Sequence, residues 1–313
     1  MKLMIHNNQL DVRGSTVAAI DYAKYAQDML GCEIVFSYDL TNPHTNADMR
    51  SRIGSKFNLI GHNGFSDIEQ IIDQEKIDFA YFLRGGGKEF VPTNCRTGVH
   101  AIFQHYAPHG DRYAYVSEWL SQKMNPGTPW VPHMASLPAP SEDLRESLGI
   151  GKDKFVFGRI GAKETFNLGF VHYAIHKLLQ ERNDFVFVFV GTNKWIEHPN
   201  VIFLPEVQDP QLKSNIINTW DAMIHGRSEG ESFGVAMVEA LSLGKPVLSW
   251  EGGYDLNHTL ILKDSDLLYS QNNVFDKMLN IRDYVNKEDW TQRVANFRPA
   301  PVMEKFNEVF LKD

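Results

Sequence analysis

Two glutamates, Glu231 and Glu239, have the type and the spacing to do chemistry in the stretch EGESFGVAMVEALSLGKPV at positions 229–247. A Ser-Phe-Gly turn and the start of an apolar helix separate them. Such a turn leaves backbone N–H groups unpaired at the positive end of a helix dipole, where an anion can bind. Two carboxylates beside it suit a polyhydroxylated ligand that carries phosphate, such as a nucleotide-sugar. The alternative is an ordinary crossover helix that the glutamates merely cap or solvate.

A pair of cations lies upstream, where Arg159 and Lys163 follow the apolar run FVFG with Gly161 between them. Arginine can hold a diphosphate with its planar fork, and lysine can act on it as a point charge. Ligands of doubly wound sheets bind at the carboxyl ends of strands, which is where this pair is expected. A basic surface turn is the alternative, but the glutamate pair in the same half of the chain favours a diphosphate site.

The sequence around these residues predicts strands that alternate with helices. In the first part, β-branched and aromatic runs predict strands at residues 3–6, 33–38, 58–61, 79–83, 101–104 and 114–116. Apolar residues in helical spacing predict helices at 16–29 and 67–75. The first helix is entered through Arg13, Gly14, Ser15 and Thr16, a glycine turn followed by hydroxyl N-cap candidates. Strands separated by helices indicate parallel βαβ units.

A proline-rich stretch from 124 to 142 interrupts this alternation and predicts an interdomain linker. Beyond it the alternation resumes, and the apolar run at 185–190 is typical of a strand buried on both faces. Near the end of the chain, Pro299 and Pro301 predict a break before a terminal helix. We therefore expect an α/β protein with two Rossmann-like, doubly wound parallel-sheet domains facing a cleft.

Composition narrows the class of protein. The 313 residues suffice for two domains, and 43% hydrophobic with 22% charged residues is ordinary for a globular chain. The formal charge of −8 argues against nucleic acid as a partner. Neither a secretion signal nor a membrane-spanning run is apparent, and Cys32 and Cys95 alone support no disulfide framework or cysteine zinc site. A cytoplasmic location without an integral membrane segment is expected.

From about residue 131 to residue 247, an ordered set of motifs resembles the donor domain of retaining GT-B glycosyltransferases of family four. VPHM resembles that family's linker entry, GRIGAK its Arg…Lys element, VFVFVGTN its central strand and FLPEVQDPQL its base-binding loop. GESFGVAMVEALSLGKPV resembles its E-x7-E signature closely. The first half of the chain resembles the acceptor domain of that family less strongly. Ser232 departs from the usual glycine of the E-G-F-G turn, and the Arg159–Lys163 spacing is slightly tight.

The resemblance implies a role for particular residues. Catalytic roles fall on Glu231 and His105, which would face the donor sugar, and on Arg159 and Lys163, which would stabilise the departing diphosphate. The implied donor-binding residues are Glu239 at the ribose hydroxyls, the backbone of Ser232, Phe233 and Gly234 at the phosphates, Val207 at the base, and Gly14 in a glycine loop near the phosphate. The resemblance implies no metal and no cofactor besides the nucleotide-diphosphate-sugar co-substrate.

The function that we expect is transfer of a hexose-type sugar, with retention, from a UDP- or GDP-sugar to a carbohydrate or other hydroxyl acceptor. The alternatives are a non-catalytic nucleotide-sugar-binding homologue and a GT-B sugar-nucleotide epimerase. Residues 1–125 would form the acceptor-side domain and 126–290 the donor domain, with 291–313 packing back towards the N-terminal domain.

Two further motifs have weaker meanings. Asp264, Ser265 and Asp266 resemble a D-x-D metal motif but lie beyond the donor-site strands, so we interpret them as a solvated loop. The run from Arg84 to Lys88, RGGGK, lacks the G-K-[ST] ending of a phosphate-binding P-loop. A flexible glycine-rich loop is the interpretation of that run.

Overall fold

The computed structural model describes residues 1–11 and 14–312. Arg13, which was expected at the entry to the first helix, lies outside the described residues. The chain divides into two compact units. Unit 1 comprises Met1–Met134 with Phe297–Asp313, and unit 2 comprises Ala135–Asn296.

Unit 1 alternates strands with helices, as expected. Its elements in the main part of the unit are β1 (Lys2–His6), α1 (Gly14–Leu30), β2 (Glu33–Asp39), α2 (Ala47–Gly54), β3 (Asn58–His62), α3 (Phe65–Glu75), β4 (Phe79–Arg84), β5 (Arg96–Ala101), β6 (Arg112–Tyr115) and α4 (Glu118–Met124). Within the described residues, these strands form one six-stranded parallel sheet in the order β3-β2-β1-β4-β5-β6.

Helix α3 shows why this alternation folds as layers. Its apolar residues at Ile68, Ile71 and Ile72 repeat at helical spacing, and all three are buried against the sheet residues Met4 and Phe82. Burial of this stripe removes apolar surface from water, which is the main stabilising term for such a layer.

The predicted strand at 101–104 is wrong, because β5 spans Arg96–Ala101 and ends where that strand was expected to begin. The sequence RTGVHA looks unlike a strand because it holds a glycine and a histidine. Tertiary packing explains the glycine, since a Cβ at Gly98 would lie 2.7 Å from Phe79 and 2.8 Å from Phe310. The aromatic rings therefore require the residue that weakens the local strand signal.

The first helix also differs from expectation at its start. Gly14 is already helical, so Ser15 and Thr16 lie in the first turn of α1 instead of capping it. Thr16 is buried, and its hydroxyl donates to Asp11 Oδ1 over 2.9 Å. This side-chain contact ties the helix start to the segment that follows β1.

The linker region contains more structure than its prolines indicate. Helix α4 begins before the stretch, capped by Ser117, and Trp130 forms a parallel bridge with Tyr115 at the end of β6. The amide of Val131 donates to the Tyr115 carbonyl over 2.8 Å. Because of this pairing, unit 1 extends to Met134, somewhat beyond the boundary at residue 125 drawn from the sequence.

Unit 2 repeats the alternation with shorter elements. They are β7 (Phe155–Ile160), α5 (Gly169–Glu181), β8 (Phe185–Val190), β9 (Val201–Leu204), α6 (Pro210–Asn218), β10 (Ala222–Ile224), β11 (Gly230–Glu231), α7 (Val235–Ser242), β12 (Val247–Trp250), β13 (Asp255–Leu256), α8 (Asn257–Ile261), β14 (Leu268–Tyr269) and α9 (Val274–Leu279). Short 3-10 segments follow at Ile281–Asp283 and Trp290–Phe297.

The main sheet of unit 2 is parallel and, within the described residues, six-stranded, in the order β14-β12-β10-β7-β8-β9. Every residue of β8 is buried, which confirms the interpretation of its apolar run as a strand covered on both faces. The two-residue strands β11 and β13 pair with each other outside this sheet. Both units thus have the doubly wound architecture that the alternation predicts.

The C-terminal segment belongs to unit 1. Helix α10 (Pro299–Phe306) continues into a π-helical turn (Asn307–Leu311), and Phe306 stacks on Tyr22 of α1. The expected break lies at Arg298, whose backbone is extended between Phe297 and α10, but the helix begins at Pro299 and so includes both prolines. Proline is favoured at the first helical position, since an N–H there has no partner within the helix and the φ of proline is already helical.

No helix among the described residues is long and apolar enough to cross a membrane.

Candidate functional site

The carboxyl edge of the unit 2 sheet brings together several of the predicted site residues. Strand β7 is the first strand of this sheet in the sequence and lies inside the sheet, with β8 on one side and β10 on the other. The chain direction of the crossovers therefore reverses between β7 and β10, which is the point where doubly wound sheets bind ligands. Arg159 lies at the end of β7 and His225 directly after β10, so the two flank this switch point.

Arg159 is a buried cation held by neutral oxygens. Its Nη1 donates to Thr192 Oγ1, and its Nη2 donates to Thr165 Oγ1 over 2.5 Å and to the Ala162 carbonyl over 3.2 Å. Burial lowers the pKa of Arg159 to about 10, while the negative charge of Glu231 acts in the opposite direction. At that pKa the guanidinium is still charged at neutral pH. The site therefore holds a fixed positive charge next to a carboxylate.

Lys163, the second predicted cation, lies in the loop after β7 and its side chain is exposed. The loop is held at this point because the amide of Asn193 donates to the Lys163 carbonyl over 2.9 Å. Arg159 and Lys163 therefore differ in kind. The arginine is fixed in place, whereas the lysine is a hydrated cation that can move towards a ligand.

Glu231 ends the short strand β11, and its carboxylate faces two basic side chains. Oε1 lies 3.3 Å from His225 Nε2, and Oε2 accepts from Arg227 Nη1 over 3.3 Å. Burial alone would raise the pKa of Glu231, but the hydrogen bond with His225 and the charges of His225 and Arg227 outweigh it and hold the pKa below its usual value. Glu231 is therefore an ionised acceptor of hydrogen bonds at neutral pH.

His225 is itself fixed from behind. Its Nδ1 lies 3.0 Å from Ser249 Oγ, and its carbonyl accepts from the Tyr269 hydroxyl. A carboxylate can only accept, so the hydrogen of the contact with Glu231 is on His225 Nε2. Ser249 and Tyr269 lie at the ends of the neighbouring strands β12 and β14. The sheet edge thereby determines the position of the Glu231 carboxylate.

A second histidine, His258 at the start of α8, holds the backbone of Glu231. Its Nδ1 accepts from the Glu231 amide over 3.3 Å, and its Nε2 donates to the Trp250 carbonyl over 2.8 Å. One ring nitrogen accepts and the other donates, which requires the neutral tautomer. Burial lowers the pKa of His258 to about 4, so the ring is neutral at physiological pH.

The turn of Ser232, Phe233 and Gly234 connects Glu231 to α7. Gly234 has a φ of +92°, in the left-handed region that favours glycine, and a Cβ there would lie 3.4 Å from the Cβ of Glu231. Phe233 is buried, and its carbonyl accepts from Asn257 Nδ2 over 2.8 Å. Helix α7 begins directly afterwards at Val235. The amides of a first helical turn have no partner within the helix, and here they lie directly after the carboxylate.

Glu239 lies on α7 and is almost fully buried. Its Oε2 forms an ion pair of 2.5 Å with Nζ of Lys213, a residue of α6. Val207, predicted to contact a base, lies in the irregular segment between β9 and α6 and is partly exposed. The loop that contains Val207 leads into α6, the helix that contains Lys213. Val207 and Lys213 therefore lie on the same connection between β9 and β10.

The remaining two predicted residues lie in unit 1. Gly14 is exposed at the first position of α1. His105 is exposed in the loop that follows β5, not at a strand end, and its carbonyl accepts from the hydroxyls of Tyr113 and Tyr115 over 3.2 and 2.6 Å. Their contributions to a site stay predictions that rest on the resemblance.

Sequence reasoning missed four side chains that define the geometry in unit 2. Each is far from its partner in the chain or lacks a motif: Lys213, His225, Ser249 and His258. A partial signal existed for His225, because it directly follows the strand AMI and so belongs to the carboxyl edge by the same rule that located Arg159. The other three required the three-dimensional arrangement of α6, β12 and α8.

One family model matches part of the second half of the chain. Residues 152–280 match the family model described as glycosyl transferases group 1. No curated protein matches the sequence significantly.

Solved structures with similar folds extend over nearly the whole chain. HepE from Anabaena, in complex with UDP and glucose, has a TM-score of 0.69 at 14% identity, with 98% of each chain covered. A glycosyltransferase from Rickettsia africae has a TM-score of 0.71 at 13% identity, with 100% of this chain and 99% of that chain covered. Sucrose-phosphate synthase from Thermosynechococcus elongatus has a TM-score of 0.73 at 11% identity, with 99% and 98% covered. At such identities the likeness concerns the fold, and the expected fold is confirmed as GT-B.

Proposed function

We propose that this chain transfers a hexose from a uridine diphosphate sugar to a hydroxyl acceptor with retention of anomeric configuration, because residues 152–280 match the group 1 glycosyl transferase model and the fold is GT-B. The observation that carries the proposal is the placement of Arg159 and of the Glu231–His225 pair at the switch point of the unit 2 sheet.

The choice of uridine has a separate support. HepE, which has the same fold over 98% of this chain, has been crystallised with UDP and with UDP-glucose. In this chain, Glu239 would accept hydrogen bonds from the ribose hydroxyls, as a carboxylate does with a diol. Val207 would contact the base through its backbone. Unit 2 would thus bind the donor, and unit 1 the acceptor.

The proposed reaction forms a bond between the acceptor oxygen and the anomeric carbon and breaks the bond from that carbon to the diphosphate oxygen. The diphosphate leaves with the electron pair and takes up the proton of the acceptor hydroxyl on the same face of the sugar. Charge develops on the diphosphate, where the fixed Arg159 and the mobile Lys163 would stabilise it. Amides of the turn 232–234 would contribute in the same way.

Glu231 would hold the sugar in this mechanism. As an ionised carboxylate it accepts hydrogen bonds from sugar hydroxyls, and its negative charge stabilises the positive charge that develops at the anomeric carbon. His225 keeps the carboxylate in place and polarises it. The roles proposed for His105 at the donor sugar and for Gly14 at the phosphate rest on the resemblance.

A panel of UDP-glucose, UDP-galactose and UDP-N-acetylglucosamine, with released UDP as the readout, tests the proposal. With one of them, the purified chain should release UDP slowly by hydrolysis, and NMR should show that the first-formed sugar keeps the anomeric configuration of the donor. Absence of both UDP binding and UDP release for the whole panel would contradict the proposal. An isomerised UDP-sugar as the sole product would indicate an epimerase instead.

A further inference from the structure

The carboxyl edge of the unit 1 sheet contains a charged cluster that the proposed donor site does not use. In this sheet the crossovers reverse between β1 and β4, which are neighbours in the order β3-β2-β1-β4-β5-β6. His6 ends β1 and Arg84 ends β4. This is the position in a doubly wound sheet at which ligands bind, and Arg84 lies directly at it.

Arg84 is buried, yet two of its three guanidinium nitrogens donate no hydrogen bond to a described residue. Its side chain is 2% exposed, and Nη1 donates to Asn8 Oδ1 over 2.5 Å and to Glu89 Oε2 over 2.9 Å. Nε and Nη2 have no hydrogen-bond partner among the described residues. Two buried guanidinium nitrogens without a hydrogen-bond partner destabilise the folded protein, because each has lost its water without gaining an acceptor. A ligand group with two acceptor oxygens could bind both nitrogens.

Glu89 supplies only part of what Arg84 can bind. Its carboxylate contacts a single nitrogen of the guanidinium, whereas carboxylates and phosphates commonly bind arginine through two parallel hydrogen bonds. The side chain of Glu89 is 34% exposed, so it can leave towards solvent. Glu89 therefore contacts Arg84 as an anionic ligand would, but it leaves two of the guanidinium nitrogens without an acceptor.

The segment that carries Glu89 is suited to release it. It is irregular from Gly85 to the start of β5 and begins with the glycine run of the RGGGK motif, in which Gly86 has a φ of +102°. Beside Glu89, Phe90 stacks on Phe65 at 4.8 Å between ring centroids, and Phe65 is 50% exposed. An exposed aromatic face next to an anion site offers an apolar surface to the C–H face of a sugar ring.

We propose that Arg84 binds a carboxylate or phosphate group of the acceptor substrate, and that Glu89 holds this position in the unliganded protein. The acceptor is therefore an acidic sugar or a sugar phosphate. The identification of the ligand as the acceptor rests on the proposed function, whereas the anion site follows from the contacts of Arg84 and Glu89 within unit 1. Asn8 orients the guanidinium, and the glycine run lets Glu89 withdraw when the ligand's acid group forms the two-fold contact.

Binding of small acidic sugars to the full chain tests the proposal. Glucuronic acid and glucose 6-phosphate serve as probes, with glucose as the uncharged reference, in NMR or calorimetric titrations. Wild-type protein should bind at least one acidic probe more tightly than glucose. The variant Glu89→Gln should bind it at least about fivefold more tightly, because the competing carboxylate is gone, and Arg84→Gln should lose the preference for the acid.

Matched variants separate this site from general charge effects. Glu118→Gln and Arg50→Gln change the same charges at exposed positions of unit 1 and should leave probe binding unchanged. The proposal would be overturned by any of three results. These are equal acid binding in wild type and Glu89→Gln, equal acid binding in wild type and Arg84→Gln, and no acid binding in any variant.

Titration with UDP in the same samples distinguishes an acid group of the acceptor from the diphosphate of the donor. It also separates a failure of the anion-site proposal from a failure of the proposed transferase function. UDP affinity should be the same in wild type, Glu89→Gln and Arg84→Gln. If Arg84→Gln lost UDP and kept the acidic probes, the bound anion would be the donor diphosphate and the acceptor proposal would be wrong. If the acid preference followed Arg84 and Glu89 while wild type bound no UDP, the anion site would stand and the proposed function would fail.

Discussion

Lys213 Nζ lies 2.5 Å from Glu239 Oε2, and this ion pair joins α6 to α7 inside unit 2. Glu239 is 4% exposed at its side chain, so the pair is largely removed from water. A cation beside a buried carboxylate compensates part of the cost of removing its charge from water. Lys213 therefore helps to determine the direction of the Glu239 carboxylate, which is the group proposed to accept hydrogen bonds from the ribose hydroxyls.

Replacement of Glu239 by Ala should weaken UDP binding by at least about tenfold, equivalent to about 1.4 kcal/mol, because a carboxylate that bonds a diol is lost. Isothermal titration calorimetry measures this. Glu206→Gln, at an exposed position after β9, is the matched control and should bind like wild type. Lys213→Met should also weaken binding, since it leaves the carboxylate without its partner. Unchanged affinity in Glu239→Ala would remove Glu239 from the site.

Replacement of Arg159 by Gln should lower kcat by about 10²–10³ with a smaller change in the affinity for UDP, because the charge acts on the departing diphosphate. Lys163→Ala should have a weaker effect of the same kind, since its side chain is exposed and hydrated. Steady-state UDP release measures both, and Lys152→Ala at an exposed position is the control. A rise in KM alone would show that Arg159 binds the ground state and not the developing charge.

His225 is expected to act through Glu231 rather than on the substrate. His225→Phe should reduce kcat by about tenfold or more and shift the acid limb of the pH–rate profile upwards, because Glu231 loses the contact that lowers its pKa. Ser249→Ala should shift the profile in the same direction by less, since it removes only the bond to His225 Nδ1. A uniform loss of activity without a shifted profile would indicate a purely structural role.

The stability of the protein should fall between about pH 6.5 and pH 4 in part because of His258. The pKa of His258 is lowered to about 4 in the folded state, so over this range the unfolded chain takes up a proton that the folded chain excludes. Stability is therefore present above the unfolded pKa and is lost as the pH falls towards 4, by at most about 3 kcal/mol. Urea unfolding at several pH values measures this slope. His258→Asn should flatten it, and an equally steep slope in that variant would assign the effect to other groups.

Gly234→Ala should lower the free energy of unfolding by about 1–2 kcal/mol and reduce activity more than this loss explains. The φ of +92° is strained for any residue with a Cβ, and the new atom would lie against Glu231. Gly244→Ala, also at positive φ but with a Cβ that would meet only Thr291 Cγ2 at 4.0 Å, is the control for backbone strain. Equal effects in the two variants would mean that the contact with Glu231 has no functional weight.

The main architecture and several candidate residues could be predicted from local pattern. Apolar runs such as that of β8 and the helical spacing of α3 depend on neighbours in the chain. Arg159 could be located because it follows a strand, and ligands bind where parallel strands end. In contrast, the sequence pattern misplaces β5. Its Gly98 is required because the rings of Phe79 and Phe310, which come from other parts of the chain, leave no room for a Cβ.

The contacts within the site could not be predicted for the same reason. Lys213 meets Glu239, and His258 meets Glu231, only because the crossovers bring α6, α7 and α8 to one edge of the sheet. Arg84 was noticed within a glycine-rich motif, but its burial and its two unpartnered nitrogens are properties of the packed sheet. Residue types indicate the available chemistry, whereas the partners depend on topology.

Glu231 is proposed to act on the donor sugar, and a comparison with the neighbouring carboxylate Glu229 separates that role from a general effect of charge. Initial rates of UDP release from the preferred UDP-sugar would be measured for wild type, Glu231→Gln and Glu229→Gln. Glu229 lies two residues away with an exposed side chain, so its variant changes the same charge outside the site. We expect Glu231→Gln to lose about 100-fold or more in kcat and Glu229→Gln to stay close to wild type. Full activity of Glu231→Gln would show that this carboxylate does not act on the donor sugar.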